Sequence, residues 1–284
     1  MDTPSSLPVP PRKALTIAGS DTSGGAGLEA DLKTFQEHGV YGMAAINCIV
    51  AQNPSADWRH DVYPIGLDVV QAQLDTVLDG IGVDTVKTGM LASCEIIDLV
   101  ARAIRSHNVG SLVVDPVMAC KGASAPLHPE VADALRDVLM PLSTVITPNL
   151  YEAGILSGLG AIDSVEGLKA AAAELCRRGA HAVLVKGGPK LPGATRAIDV
   201  FCEAGRAPVV LESELIPNAY THGAGCTISA AIAANLALGR DVEDAVRHAR
   251  AFEAAALRLS FPLNQWVGPL RHNGWRVEAG LPTP

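Results

Sequence analysis

From residue 14 onward, short apolar runs that end in Gly or Asp alternate with longer stretches whose apolar positions recur at helical spacing. That alternation is the signature of βα units around a mainly parallel sheet. It predicts strands over 14–18, 44–50, 85–87, 111–114, 144–146 and 182–185, with helices over 25–38, 67–80, 93–107, 129–139 and 165–178. The runs Leu112-Val113-Val114 and Val183-Leu184-Val185 suit strands buried on both faces. Residues 197–203 and 208–213, separated by Ala204-Gly205-Arg206, read as a hairpin appended to the sheet. An alanine-rich helical run over 228–238, a second helix over 242–259 and a loop over 261–266 follow, and the loop's Phe261 and Trp266 are expected to cap the core.

Composition narrows the picture. A chain of 284 residues that is 48% hydrophobic supports one large core, and neither a repeat nor a linker divides it. The proline-rich residues 1–13 are expected to form a disordered leader before a single domain over 14–284. A net charge of -8 and a pI near 5.4 disfavour nucleic acid or an anionic membrane as the main partner, because both need a basic face. No run approaches the roughly 18 apolar residues of a membrane helix. The six cysteines, at 48, 94, 120, 176, 202 and 226, form no CxxC pair and no metal-finger spacing, which predicts reduced thiols in a cytoplasmic protein.

Open parallel sheets bind ligands at the carboxyl ends of their strands, and here those ends are rich in polar residues. Thr221-His222-Gly223-Ala224-Gly225-Cys226-Thr227 opens the alanine-rich helix. Its glycines permit a tight turn with N–H groups converging on one space, and the helix terminus adds positive potential suited to phosphate. The same field is expected to favour thiolate at Cys226. His222 reads as a structural histidine. After the first strand, residues 19–27 form a loop in which Asp21 reads most simply as a cap for the next helix. Gly25 to Ala30 fits GxGxxA, but the following strand ends at Gln52-Asn53 rather than in the acidic residue that dinucleotide binding requires. No GxxxxGK[ST] loop occurs either. Asp115-Pro116 and the segment Thr147-Pro148-Asn149 with Glu152 bring two carboxylates to one rim, a placement that favours Mg²⁺ bound through water and substrate phosphates. Lys186-Gly187-Gly188 supplies a cation followed by backbone that a nucleotide phosphate can approach closely. The cysteines at 48, 94, 176 and 202 read as packing residues, whereas Cys120 lies in a small-residue segment, 118–126, suited to a lid.

Together, Gly19-Ser20-Asp21 with residues 23–27, Lys87-Thr88-Gly89-Met90, Asp115-Pro116-Val117-Met118, Thr147-Pro148-Asn149 with Glu152, Lys186-Gly187-Gly188 and Gly223 to Thr227 resemble the hydroxymethylpyrimidine kinase and pyridoxal kinase group of the ribokinase-like superfamily. The match runs in order from about residue 14 to 270. Val40 to Met43, Asp57-Trp58, Cys120 to Ala123 and Ser260 to Gln265 look most like the bacterial pyridoxine/pyridoxal/pyridoxamine kinases within it. The resemblance implies an α/β fold, a ribokinase-like three-layer αβα sandwich with a central mainly parallel sheet and a small lid. It also implies a homodimer, and transfer of the ATP γ-phosphoryl group to a hydroxymethyl group with Mg²⁺; K⁺ dependence is left open. In that scheme Cys226 accepts the substrate proton within an anion hole of Gly223, Ala224 and Gly225. Asp115 and Glu152 organise Mg²⁺, while Asn149, Lys186, Gly188 and Thr221 join the two hole glycines around ATP. Asp21, Gln52, Met90 and Cys120 face the substrate, and the Cys120 thiol adds reversibly to the aldehyde of pyridoxal.

Gln52 departs from the pyridoxal kinase pattern and resembles dedicated hydroxymethylpyrimidine kinases, whose amide pairs with an aminopyrimidine. Thiamine-pathway or dual activity therefore stands beside vitamin B6 phosphorylation. A sugar or nucleoside kinase of the same superfamily is disfavoured by Cys226 and Gln52. A pyridoxal phosphate carrier or sensor without turnover is the alternative outside enzymes.

Overall fold

A computed structural model describes residues 9–118, 129–217 and 219–282. Nine strands form one sheet in the order β3-β2-β1-β4-β5-β6-β7-β8-β9. They are β1 (Lys13–Asp21), β2 (Tyr41–Asn53), β3 (Arg59–Pro64), β4 (Thr85–Thr88), β5 (Leu112–Val114), β6 (Val145–Ile146), β7 (Ala182–Gly188), β8 (Ala197–Glu203) and β9 (Val209–Ser213). The six central strands, β2 to β7 by position, pair in parallel. Antiparallel strands close both margins: β3 on β2 at one, and the predicted hairpin β8–β9 on β7 at the other. The helices are α1 (Gly27–Glu37), α2 (Leu67–Leu78), α3 (Cys94–Ser106), α4 (Pro129–Ala134), α5 (Leu150–Ser157), α6 (Val165–Arg177), α7 (Ala224–Ala237), α8 (Val242–Arg258) and α9 (Gly274–Glu278).

Strand side chains alternate between two cores, as the pleat requires. Leu15, Ile17, Val86, Leu112, Val114, Val183 and Val185 face α2 to α6, whereas Ala14, Val113, Val145, Ala182 and Leu184 face α1, α7 and α8. The outcome is the expected αβα sandwich. The middle layer of its second face is α7, nearly all Ala, Ile and small polar residues and buried on most sides. Small side chains let it lie close to the sheet, so its first turn arrives at the strand carboxyl ends.

Several boundaries differ from the sequence pattern. Gly19–Asp21 continue β1 rather than opening a loop, with a register shift at Ala18/Gly19. The second strand runs from Tyr41 to Asn53 because its far half pairs with β3, a strand that the polar stretch Arg59-His60-Asp61 concealed. The helix expected over 129–139 is α-helical only to Ala134 and widens into a π turn over Leu135–Leu139, where Met140 N–H reaches back to Leu135 O. Pro141, which has no N–H to donate, follows at once and stops regular helix. Phe261 and Trp266 do not cap the core. They are 41% and 44% exposed, and Trp266 stacks on Trp58 with ring centroids 5.6 Å apart. Cys120 and the rest of the expected lid over 119–128 lie outside the described residues.

Candidate active site

Because β1, β2 and β4 to β7 run parallel, their carboxyl ends put Asp21, Gln52, Met90, Asp115, Asn149 and Lys186 along one rim. Two glycine turns meet there. Gly223 is the N-cap of α7 with φ +83°, and a Cβ on it would run into the carbonyl oxygen of Gly25. A Cβ on Gly25 would lie 2.5 Å from the His222 ring. The two turns fit together only because neither carries a side chain. No side chain caps α7, so Gly223, Ala224 and Gly225 form a backbone turn at an open helix terminus, the geometry that receives anions.

Cys226 lies in the first turn of α7, near the start of α1, where the Gly27 N–H favours its thiolate. Two helix N-termini thus address one sulfur. The expected preference for thiolate is nevertheless reversed. Burial pushes the thiol up to about 12, against the opposing pull of Lys87 and the Gly27 N–H, while Asp31 and Asp115 add to the rise. Desolvation outweighs the field of a helix terminus.

Toward β7, Lys186 Nζ donates to Asp115 Oδ1 at 3.0 Å. Thr147 Oγ1 lies 3.4 Å from the same oxygen, whereas Asp115 Oδ2 is buried without a hydrogen-bond partner among the described residues. A Cβ on Gly225 would stand 3.3 Å from Lys186 Nζ and 3.8 Å from Asp115 Oδ2, so the glycine turn and this ion pair share one space. Asn149 caps α5 in a reciprocal capping box. Its side chain takes the Glu152 N–H at 3.0 Å while Glu152 Oε2 takes the Asn149 N–H at 2.8 Å. Burial first, and then Asp115, raise Glu152 to about 7 in spite of Lys186. Gly188 adopts φ +52° and donates its N–H to Asp199 Oδ1, while Arg250 holds Asp199 Oδ2 at 2.9 Å. Thr221 is exposed beside the turn, and its carbonyl accepts Ala224 N–H at 3.3 Å.

The β1 corner is built around Asp21. Its carboxylate accepts from Ser23 N and Oγ, Ala26 N, Gln52 Nε2 at 2.6 Å and His222 Nε2 at 2.7 Å. Burial acts to raise its pKa, but His222, Gln52 and Ser23 together hold it well below the usual carboxylate range. Asp21 therefore steadies the start of α1 without being its N-cap, which is Ala26, and it also anchors Gln52. His222 is structural, as the sequence suggested, and joins the two glycine turns. A carboxylate only accepts, so the Gln52 amide must turn its nitrogen inward and keep its oxygen available. The Met90 carbonyl accepts from Asn47 Nδ2 at 2.9 Å, and its side chain packs with Cys48 and Val50.

One member of this neighbourhood entered the sequence analysis only within the Lys87-Thr88-Gly89-Met90 motif, with no role of its own. Lys87 is fully buried on β4 and bonded to Asp31 of α1. Its signal was a lone charge in an otherwise buried strand. A cavity of about 590 Å³ is lined by Leu32, Lys33, Phe261 and His272 among others, and it contains none of these groups.

The profile of the phosphomethylpyrimidine kinase family matches residues 21–271. The chain belongs to that family. Among curated relatives, it is 53% identical to the pyridoxine kinase of Bacillus subtilis over 265 residues, covering 93% of this chain and 97% of the relative. It is 40% identical to the hydroxymethylpyrimidine/phosphomethylpyrimidine kinase of Haemophilus influenzae, covering 92% and 96%. The solved structure of the Bacillus subtilis pyridoxal kinase in complex with ADP superposes with a TM-score of 0.90 at 52% identity, covering 94% of this chain and all of that one. A Staphylococcus aureus pyridoxal kinase in complex with AMP-PCP and pyridoxal gives 0.89 at 43% identity, covering 94% and 96%. The ribokinase-like fold implied by the motifs is thus the fold of this family.

Proposed function

We infer that the chain is a kinase that uses ATP to phosphorylate the 5'-hydroxymethyl group of pyridoxal, pyridoxine and pyridoxamine. The observation that carries this reading is the shared space of the Gly223–Gly225 turn, Cys226 and the Lys186–Asp115 pair, in a chain 53% identical to a pyridoxine kinase. The turn's N–H groups receive the charge that gathers on the transferring phosphoryl group, and Lys186 pairs with the nucleotide phosphates. Cys226, as thiolate, takes the proton of the substrate hydroxyl. The freed oxygen bonds to the γ-phosphorus, the bond from that phosphorus to the bridging oxygen breaks, and ADP leaves. Asn149, Gly188 and Thr221 border the nucleotide.

Asp115 Oδ2, buried beside Glu152 with no hydrogen-bond partner among the described residues, fits a hard divalent cation held through water. Bound there, Mg²⁺ would offset phosphate charge. Met90 and Gln52 border the vitamer ring. The same reading gives a homodimer, and the outer strands offer Ile49 and Tyr63, cross-strand partners that are 41% and 56% exposed.

The Gln52 oxygen, turned away from Asp21, supports a second substrate. It accepts from an amino group, which hydroxymethylpyrimidine has and pyridoxal and pyridoxine lack. ADP release with Mg²⁺-ATP and, separately, pyridoxal, pyridoxine and hydroxymethylpyrimidine tests both readings through kcat/KM. Turnover is expected with the two vitamers and, more slowly, with the pyrimidine. Release with the pyrimidine alone would transfer the enzyme to thiamine synthesis, and release with none would make it a carrier.

A further inference from the structure

Lys186 and Gly188 border the nucleotide in the reading above, and the end of β7 that carries them is fastened by two residues with no part in that reading. In the antiparallel β7–β8 ladder Lys186 lies directly opposite Asp199, and the next pair is Gly188 with Ile198, so Gly187 is an extra residue that makes a bulge. A Cβ on Gly187 would run into the Ile198 carbonyl oxygen, and Gly188 turns to φ +52°. Asp199 holds this bend. Its Oδ1 accepts the Gly188 N–H at 3.0 Å, and its Oδ2 accepts Arg250 Nε at 2.9 Å. Arg250 reaches in from α8 and donates Nη2 to the Leu211 carbonyl of β9 at 2.9 Å, which fixes the guanidinium against the hairpin. Directly opposite residues of an antiparallel pair face the same way, with Cβ atoms about 5 Å apart. Asp199 is therefore within reach of Lys186. Yet Lys186 Nζ bonds across the sheet in the other direction, to Asp115 Oδ1 at 3.0 Å. Asp199 is buried, and Lys186 and Arg250 are part-buried, so these charges are screened little by water and their pairing is a choice of consequence.

We propose that Asp199 and Arg250 are positioning residues for nucleotide binding: Arg250 and the Gly188 N–H occupy both oxygens of Asp199, which keeps that carboxylate from capturing Lys186 and leaves the ammonium with Asp115 beside the Gly223–Gly225 turn. The inference rests on Lys186 and Gly188 bordering ATP in the proposed kinase reaction. Removing Arg250 alone would leave a buried carboxylate without its counter-charge, and Lys186 is the cation that the ladder places beside it. An ammonium drawn to Asp199 would leave Asp115 and the turn that receives phosphate. Glu253, three residues beyond Arg250 on α8, does not compete for it. Burial and then Asp199 raise Glu253 to about 8, so it is mainly uncharged at neutral pH. An asparagine at 199 would still offer the Gly188 N–H an acceptor, but it has no charge with which to hold Lys186.

The test is the affinity for Mg²⁺-ADP by isothermal titration calorimetry, with pyridoxal titrated separately as a ligand that Lys186 does not meet. Arg250→Met should weaken ADP binding tenfold or more and leave pyridoxal binding within twofold of wild type. Adding Asp199→Asn to that variant should return ADP binding to within threefold of wild type, because the competing charge has gone while the Gly188 N–H keeps its acceptor. An ion pair that only ties α8 to the hairpin would give the opposite order, since the double variant lacks both of its halves. A double variant that binds ADP no better than Arg250→Met therefore overturns the proposal, as does an Arg250→Met protein whose ADP affinity stays within threefold of wild type. Where Arg250→Met fails to fold, Arg250→Met/Asp199→Asn decides alone: affinity within threefold of wild type is the expected result, and a tenfold loss overturns it. The wild-type titration keeps the two readings apart. A wild type that binds no ADP removes the kinase reading and this proposal with it, whereas ADP binding by the wild type without rescue in the double variant removes the proposal alone.

Discussion

Gln52 turns its oxygen away from Asp21 because Asp21 claims its nitrogen, and Asp21 can do so because His222 and Ser23 keep it charged. The chain of contacts turns a side chain of ambiguous hydrogen bonding into an acceptor of fixed direction. In the proposed site, that acceptor matters most to a substrate with an amino group, whose loss of a partner leaves a polar group unpaired. Gln52→Met should therefore lower kcat/KM for hydroxymethylpyrimidine tenfold or more and change that for pyridoxal less than threefold. Steady-state kinetics on both substrates read the ratio. Equal losses would mean that Gln52 braces the corner rather than reading the ring. The residues of this corner were visible in the sequence, but their partnership was not. Asp21 and His222 lie 201 positions apart, and no local pattern announces such a contact. The direction of the Cys226 shift was hidden for a similar reason, since burial is set by packing from α1 and β4 and not by the glycines on either side.

Elements read more easily than contacts. Runs such as Leu112–Val114 and Ala182–Val185 announce buried strands because both faces are covered, whereas β3 escaped notice because Arg59, His60 and Asp61 have no apolar face to show. The alanine-rich helix was legible, but what braces its first turn was not. Thr227 Oγ1 contacts His272 Nε2 at 3.1 Å, from the segment just before α9. Burial lowers the His272 pKa to about 4, so the folded chain holds this ring neutral down to that pH. An unfolded histidine titrates near 6.5, and between the two values the unfolded state binds the additional proton. Stability from this group is complete above 6.5 and falls as pH drops toward 4, by about 2 kcal/mol between pH 7.5 and pH 5. Buried Glu152 and part-buried Glu253, raised to about 7 and about 8, act in the opposite sense over part of the same range. The informative quantity is therefore a difference. The Tm advantage of wild type over His272→Gln should shrink by a few degrees from pH 7.5 to pH 5, in thermal melts at matched ionic strength. A constant gap would mean that His272 titrates in the fold as it does in the unfolded chain.

At the scale of the molecule, parallel strands bring their ends to one rim, and a small-residue helix lies close enough to add its N-terminus there. The antiparallel margins, β3 on one side and β8–β9 on the other, extend the sheet without disturbing that convergence. Motif order along the chain was enough to indicate the sandwich, because each motif sits where a buried strand must end. It was not enough to show that Lys87 is buried against Asp31, which depends on α1 lying over β4. The most direct measurement of the whole arrangement is kcat for pyridoxal at saturating Mg²⁺-ATP, in wild type and in Cys226→Ala. A base in general acid–base catalysis contributes roughly 10² to 10⁴ in rate, so the variant should lose at least about a hundredfold in kcat while its KM for ATP stays within a few-fold. A Cys226→Ala enzyme that turns over pyridoxal at nearly the wild-type rate would take the proton-accepting role away from this sulfur and, with it, the reason for placing the chemistry at the start of α7.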